Sequence, residues 1–530
     1  MSYIATYRTL NMIQQISDLI AFRNNIYLKF PKRRDAIMNL LDALSSYGHC
    51  SNSVVQLSKA GCYDRQYSSI TDAISDGLKH VNWEVIMKLV YDAATKTEQK
   101  KINRFIMDCT SNPRPYAQKL ADRTVTHLPN PAPGNKPICV GHQYSLLALL
   151  PNDTLINKKH WLVPLTVKRV SSQEKGNELG VQQVVKSIKE LGLSDQLSLS
   201  IGDSLYGTEK CRITVSEQDN LIHLFRLNSK RNLYCSPQGQ ESSGQGRKKE
   251  FGSKMTLNDP KTHPKFDEEA ETIWTSRRNK EYNVKIQCWR NMLLRGSRKF
   301  RSSQFPVNLI KICVFDQQGK MIFKRPMWLA VMGKYRDELS LIDCYQNYSN
   351  RYDIEHLFRF GKQKLLLDTY QTPDSENEEN WWKLCLLAYM QLYLGKELSP
   401  LLPEAWEKYL PEFKSSELLD RSITTPSQTQ RGFSKILEQI GTPAEPCVAR
   451  GKPRGRMPGA TMTKRDQKPV IFKHSKPPKK ATEIIIPESG EVVDFSNPKK
   501  INELVNIVKS TLESLQFSTE EFVKKLEDSG

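Results

Sequence analysis

The sequence has no paired cysteines. Its 11 cysteines are scattered (Cys50, Cys62, Cys109, Cys139, Cys211 and onward), odd in number and without a Cys-x-x-Cys spacing. That pattern argues against a disulfide scaffold and against a zinc site built from close cysteine pairs, and favours reduced, mostly buried thiols. Long apolar runs are missing too. The longest, Leu384 to Leu394, is broken by Gln391 and falls short of the roughly 18–20 residues that span a bilayer. The opening Met1-Ser2-Tyr3 lacks the basic-then-apolar pattern of a secretory signal. No membrane partner and a cytosolic location are therefore expected. The nine histidines show no His-Glu-x-x-His spacing, which removes the common zinc hydrolase signature. Gly239 and Gly244 stand at P-loop spacing, but Gln245-Gly246 follows where Lys-Ser or Lys-Thr is required to hold phosphate and magnesium. No nucleophile elbow and no fixed-period repeat is visible.

Acidic residues are also in deficit: 78 Lys and Arg stand against 58 Asp and Glu, a formal charge of +20. Such an excess favours a polyanionic partner, because neutralising phosphates releases condensed counterions. A plain solubility charge is the competing explanation, so chemistry must be sought in particular residues.

With 530 residues the chain exceeds one ordinary core. The first 95 or so residues read as helical, with Ile37, Leu40, Leu41 and Leu44, and then Ile70, Ala73, Ile74 and Leu78, at helical spacing. Ser53 to Ala60 reads as a short helix capped by Ser51 or Asn52. Short helices and tight turns suit either a DNA-end-binding module, helix-turn-helix-like, or a plain helical bundle. From residue 102 the texture changes to strands: Ile102–Asp108, Lys136–Leu147 and His160–Val170. A helical stripe at Val181, Val184, Ile188 and Leu191 follows, then strands at Leu197–Asp203 and Leu221–Leu227. That order suits an α/β fold with a mixed sheet covered by helices. It is also the order of the ribonuclease-H-like fold.

Asn228 to Pro260 reads as exposed loops, and a β-rich insertion follows. Tyr282, Val284, Ile286 and Cys288 stand at period two, before Val307–Phe315 and Met327–Met332. A helical stretch from Asp353 to about Tyr393 is interrupted near Pro373. Ala449 to Lys480 holds eleven Lys and Arg against one Asp and reads as a disordered basic arm. Ile501 to Leu526 reads as one or two amphipathic helices. The expected division is 1–95 helical, 96–228 α/β, 229–340 β-rich, 341–400 helical, and 401–530 a C-terminal region.

Three carboxylates stand out against this background. Asp108 ends the apolar run Phe105-Ile106-Met107, and Asp203 ends Leu197 to Gly202. In α/β sheets functional groups gather at carboxyl ends of strands. Asp122 competes with Asp108, though it follows a polar, helix-like stretch. Glu355 lies on the helix that begins near Asp353, and at about 100° per residue Arg351, Glu355, Arg359 and Lys362 fall on nearly one face. Ion pairs on a solvated surface are the bland explanation of such a face.

Residues 348–362, Tyr-Ser-Asn-Arg-Tyr-Asp-Ile-Glu-His-Leu-Phe-Arg-Phe-Gly-Lys, resemble the Y-R-E-K signature of insertion-sequence DDE transposases. Asp108-Cys109-Thr110 and Asp203-Ser204-Leu205-Tyr206-Gly207 are similar to that family's two aspartate motifs. The resemblance spans roughly residues 100 to 395. It implies a ribonuclease-H-like core interrupted by a β insertion, with Asp108, Asp203 and Glu355 as catalytic carboxylates and metal ligands. The cofactor implied is Mg²⁺, which Mn²⁺ can replace; two such ions serve in-line phosphoryl displacement. Tyr348, Arg351 and Lys362 would hold DNA phosphates, joined by Arg359 through its place on the helix. The resemblance further implies double-stranded DNA as partner, both terminal inverted repeats and target, with nucleoid association and a homodimeric synaptic complex. In related transposases an aromatic residue of the insertion stabilises a flipped base. Trp274, Trp289 and Trp328 are the counterparts available, and ordinary core packing is the plainer explanation of each. The alternatives are a transposase-derived DNA-binding protein that has lost catalysis, and a structure-selective nuclease of the same fold.

Overall fold

The computed structural model describes residues 3–96, 102–128, 134, 136–151, 161–237, 250–276, 280–296, 301, 304–399, 424–448, 455, 457–461, 464–472, 484–485 and 492–493, with side chains from residue 12 onward. The chain divides into a unit of Met1–Ile471 and a unit of Phe472–Gly530. In the second, β13 (Ile484–Ile485) and β14 (Val492–Val493) form an antiparallel ribbon. The expected amphipathic helices at 501–526 lie outside the described residues.

The first unit opens with helices α1 (Tyr3–Leu28), α2 (Arg34–Tyr47), α3 (Ser68–Asp72) and α4 (Trp83–Thr95). Residues 54–59, expected to be helical, form a short 3-10 turn entered from Ser53 without a side-chain cap. Helix α2 is buried along Ala36–Ser46, so it has no face to lay in a DNA groove. Its Asp42 receives two hydrogen bonds from Arg23 of α1, one of them 3.0 Å long. Arg23 also donates to Gln391 and to the Gly441 carbonyl.

The strands that follow are β1 (Asn103–Pro113), β2 (Thr124–His127), β3 (Ile138–Leu149), β4 (Val163–Val170), β5 (Ser198–Gly202) and β6 (Leu221–Leu227). Helix α5 (Gly176–Glu190) comes after β4, and α6 (Glu209–Ser216) separates β5 from β6. Strand β3 lies between β4 and β1, antiparallel to both; β1 runs parallel to β5, and β5 parallel to β6. This is a ribonuclease-H-like mixed α/β sheet, as the order of elements predicts. Buried helix stripes follow the expected periodicity, with Val181, Val184 and Ile188 all in the core.

The β-rich insertion extends the same sheet. It comprises β7 (Asn232–Tyr234), β8 (Lys254–Thr256), β9 (Glu268–Thr275), β10 (Glu281–Leu294), β11 (Val307–Phe315) and β12 (Met327–Met332). Strand β12 pairs antiparallel with β6, so the sheet runs on from the core through β12, β11 and β10. The expected period-two strands are all present. Strand β9 was not foreseen, because its polar Glu-Glu-Ala-Glu start carries no apolar alternation; it pairs with β10 through a run of cross-strand neighbours, including Lys285–Glu269.

The closing helices are α7 (Leu341–Asn350), α8 (Asp353–Lys364), α9 (Ser375–Leu394) and α10 (Pro426–Ile440). A capping box at Ser340 and Asp343 starts α7, and Asp374 caps α9. The basic arm departs from its expected disorder where it is described. Lys468 donates its amide to the Gln118 carbonyl and Ile471 to the Arg123 carbonyl, at 2.8 and 2.7 Å. The open edge beside β2 supplies those partners.

Removing one side of the buried Arg23–Asp42 pair strands a charge in the core. Asp42→Ala is expected to cost ~3–5 kcal/mol in a denaturant titration. The double change Arg23→Met with Asp42→Leu should recover most of that loss.

Candidate active site

Parallel pairing sets Phe105 beside Ser200 and Ile106 beside Ile201. Two residues further on, beyond the last paired rung, come Asp108 and Asp203. Asp108 does not end its strand, contrary to expectation. Strand β1 continues to Pro113, because β3 still pairs with it through Gly141 after β5 has stopped at Gly202. Asp203 does leave the sheet. Its carboxylate accepts the Leu205 amide at 2.8 Å, which closes the turn. Gly202 permits that turn, since a Cβ there would stand 2.6 Å from the buried Tyr206 ring.

The Y-R-E-K residues do not share one helix. Tyr348 lies in the last turn of α7, Arg351 sits in the break between helices, and Glu355 and Lys362 belong to α8. The break redirects Arg351, whose guanidinium reaches Asp108 at 3.3 Å and lies 5.5 Å from the Tyr348 ring centre. Arg359 is exposed and makes no ion pair among the described residues. Lys362 donates to the Ser111 carbonyl of β1 at 2.7 Å, and burial holds its ammonium below the ordinary value.

Asp108 is the electrostatic centre of this region. Burial pushes its carboxyl up to about 6, and the negative charges of Asp203 and Glu355 push the same way against Arg351 and the Cys109 amide. Asp203 and Glu355 thus both bear on Asp108, beside the Arg351 guanidinium. Asp122 is elsewhere. It accepts from Arg169 and the Ser172 amide, and although burial works against its charge, those bonds hold its carboxyl below the usual range.

Oxygen donors of this kind suit a hard divalent cation, which binds few protein groups and keeps waters and phosphate oxygens. Among the described residues, however, no three carboxylate, imidazole or thiol groups come close enough to form a finished metal cage. Arg351 takes up the flank of Asp108 instead. The donor chemistry fits Mg²⁺.

Beside Tyr348 and Arg351 opens a cavity of about 600 Å³, lined also by Arg226, Trp274, Phe323 and Arg325. Of the three tryptophans considered from the sequence, Trp289 and Trp328 are buried in the sheet, whereas Trp274 is 37% exposed at this cavity. Arg114, His142 and Glu378 escaped sequence reasoning altogether, and they form a buried cluster behind β1. Glu378 stands among acidic residues in the first turn of α9, where the helix dipole already accounts for carboxylates, so no motif marks it.

A carboxyl raised to about 6 destabilises the folded protein once it is charged. That cost is absent below the ordinary 3.8, grows between 3.8 and about 6, and is full above that. Asp108→Asn in metal-free protein is therefore expected to raise stability near pH 8 by on the order of 1–3 kcal/mol. The gain should vanish toward pH 4 in parallel thermal melts.

No curated protein matches the chain. A family model described as DDE superfamily endonuclease does match, over residues 25–293. The match includes Asp108 and Asp203 and stops before the helix that carries Glu355. It covers just over half of the sequence, and with the ribonuclease-H-like sheet already in place it establishes that the chain belongs to the DDE superfamily endonucleases.

Proposed function

We propose that this endonuclease is a DNA transposase of the insertion-sequence type, cutting at transposon ends and joining the freed 3′-hydroxyl to target DNA. The observation that carries the reading is the placement of Asp108 and Asp203 two residues beyond the paired rung of neighbouring parallel strands, with Arg351, just ahead of the Glu355 helix, bonded to Asp108. In this reading Asp108, Asp203 and Glu355 are the catalytic carboxylates and the ligands of Mg²⁺, or of Mn²⁺ in its place. A divalent cation held there supplies Lewis-acid polarisation of the scissile phosphate and lowers the pKa of bound water.

The chain's own residues do the rest. Arg351 neutralises Asp108 while the site is empty of substrate, and its fork of donors suits a phosphate that takes the carboxylate's place. Exposed Arg359 extends the phosphate-binding row, and Tyr348, whose hydroxyl is buried, joins it only if that hydroxyl is uncovered. Lys362 joins them only by leaving the Ser111 carbonyl. Duplex DNA, as terminal inverted repeats and as target, is the proposed substrate, with two copies of the chain pairing two ends.

A second reading is a DNA-binding protein of the same descent that no longer cuts. The Asp108–Arg351 pair and the unfinished metal cage favour it. Purified protein, Mg²⁺ and a duplex carrying the inverted repeats that flank its gene separate the two. Release of flanking DNA supports the transposase, and Glu355→Gln should then lower cleavage at least ~100-fold while leaving affinity for the ends unchanged. Binding with no Mg²⁺-dependent cutting supports the second reading.

The aromatic cavity suits a base taken out of the stack near the cut. Trp274→Ala should slow cleavage of fully paired ends by roughly tenfold, on the scale of one lost base–aromatic stack. Ends already unpaired beside the cut should lose less, because the unstacking cost is then removed in advance. Equal losses on both substrates would sink that role.

A further inference from the structure

Strand β1, which carries Asp108, leaves the β5 pairing after Ile106 and runs on to Pro113 with β3 alone at its side. Helix α8, which carries Glu355, crosses this distal half. The next residue after β1 is Arg114, whose side chain is only 2% exposed. Its Nε donates to Glu378 at 2.8 Å, and Nη1 and Nη2 donate to the carbonyls of Asp368 and Tyr370 at 2.8 and 2.9 Å. Those carbonyls belong to the turn that leaves α8. The turn includes Leu366 at φ 56°, a left-handed backbone that a leucine rarely adopts, with its carbonyl held by Trp381 at 2.9 Å.

Glu378, fully buried on α9, accepts from Arg114, from Tyr144 at 2.7 Å and from His142 at 2.6 Å. Tyr144 and His142 both lie on β3. The other ring nitrogen of His142 faces the Ala121 carbonyl at 2.9 Å. Lys362 adds a direct tie from α8 to the Ser111 carbonyl. Apart from the Lys362 and Arg351 contacts, the polar bonds named here between the end of β1 and the closing segment meet in this cluster. A buried ion pair is often no more stabilising than apolar packing of equal volume, and removing one partner is strongly destabilising.

We propose that Arg114 and Glu378 are positioning residues that fix the spacing between the Asp108 strand and the Glu355 helix. The proposal rests on the reading of those carboxylates as the cutting site. Neither residue touches substrate; they act through β1 and the turn behind α8. Partners behind a metal-binding group typically change affinity or activity 10–100-fold when removed.

The test compares wild type with Glu378→Gln and with Tyr144→Phe. The second removes one donor and keeps the ring that stacks on Trp382 at 4.1 Å, so it guards against a variant that fails to fold. Affinity for DNA ends, single-turnover cleavage across a Mg²⁺ series, and hydrogen exchange of residues 353–364 are measured on each. Expected in folded variants are unchanged affinity, cleavage ~10–100-fold slower for Glu378→Gln and several-fold slower for Tyr144→Phe, and a higher Mg²⁺ requirement. Faster exchange confined to residues 353–364 should accompany them. Full-speed cleavage at the wild-type Mg²⁺ requirement, or unchanged exchange in that helix, overturns the proposal. Wild type that binds but does not cut refutes the transposase instead, and exchange alone then decides the positioning role.

Discussion

Parallel registration of β1 against β5 is the constraint on which the site depends. Side chains alternate along a strand, so a slip of one residue would turn Asp108 to the opposite face. The register is held by burial on both sides of the sheet: Phe105, Ile106, Met107, Leu199 and Ile201 are all enclosed. Because β5 ends at Gly202, the sheet opens beside Asp108 just where Asp203 turns away. A carboxyl partly out of water, at the open edge where Asp203 departs, is the consequence.

That arrangement is costly for the folded chain. The Asp108 carboxyl is held up to about 6 by burial first and by its acidic neighbours after it. One guanidinium, that of Arg351, offsets part of the charge. Stability lost at such a site is typical of places where the environment is shaped for reaction rather than for folding. Over the whole chain the excess of Lys and Arg, +20, favours a polyanionic partner.

Distant parts of the chain are fastened to this frame. The insertion joins by continuing the sheet from β6 into β12 rather than by hanging from it. The N-terminal helices join through buried polar bonds, with Arg23 and Ser45 both meeting Gln391 of α9. Such bonds discriminate between packings because a misplaced partner leaves a buried polar group unsatisfied.

Local rules were legible in the amino-acid order. Period-two and period-3.6 patterns disclosed the main strands and helices, and the charge balance pointed to a polyanion. The spacing of Tyr348, Arg351, Glu355 and Lys362 singled out the closing segment, and Asp203 stands at a strand end as its neighbours indicated. Other features depended on contacts between residues far apart. The extension of β1 past Asp108 is decided by β3, the place of Arg351 by a break between two helices, and the tie of Lys362 by a carbonyl on another strand. Strand β9 and the cluster around Glu378 carried no periodic or motif signal, because a polar edge strand and a buried acid are each chosen by their partners. Periodicity is a property of neighbours in the chain, so it reads directly from the residues. Burial, and the charge state it imposes, belongs to neighbours in space, and only the folded chain brings those together.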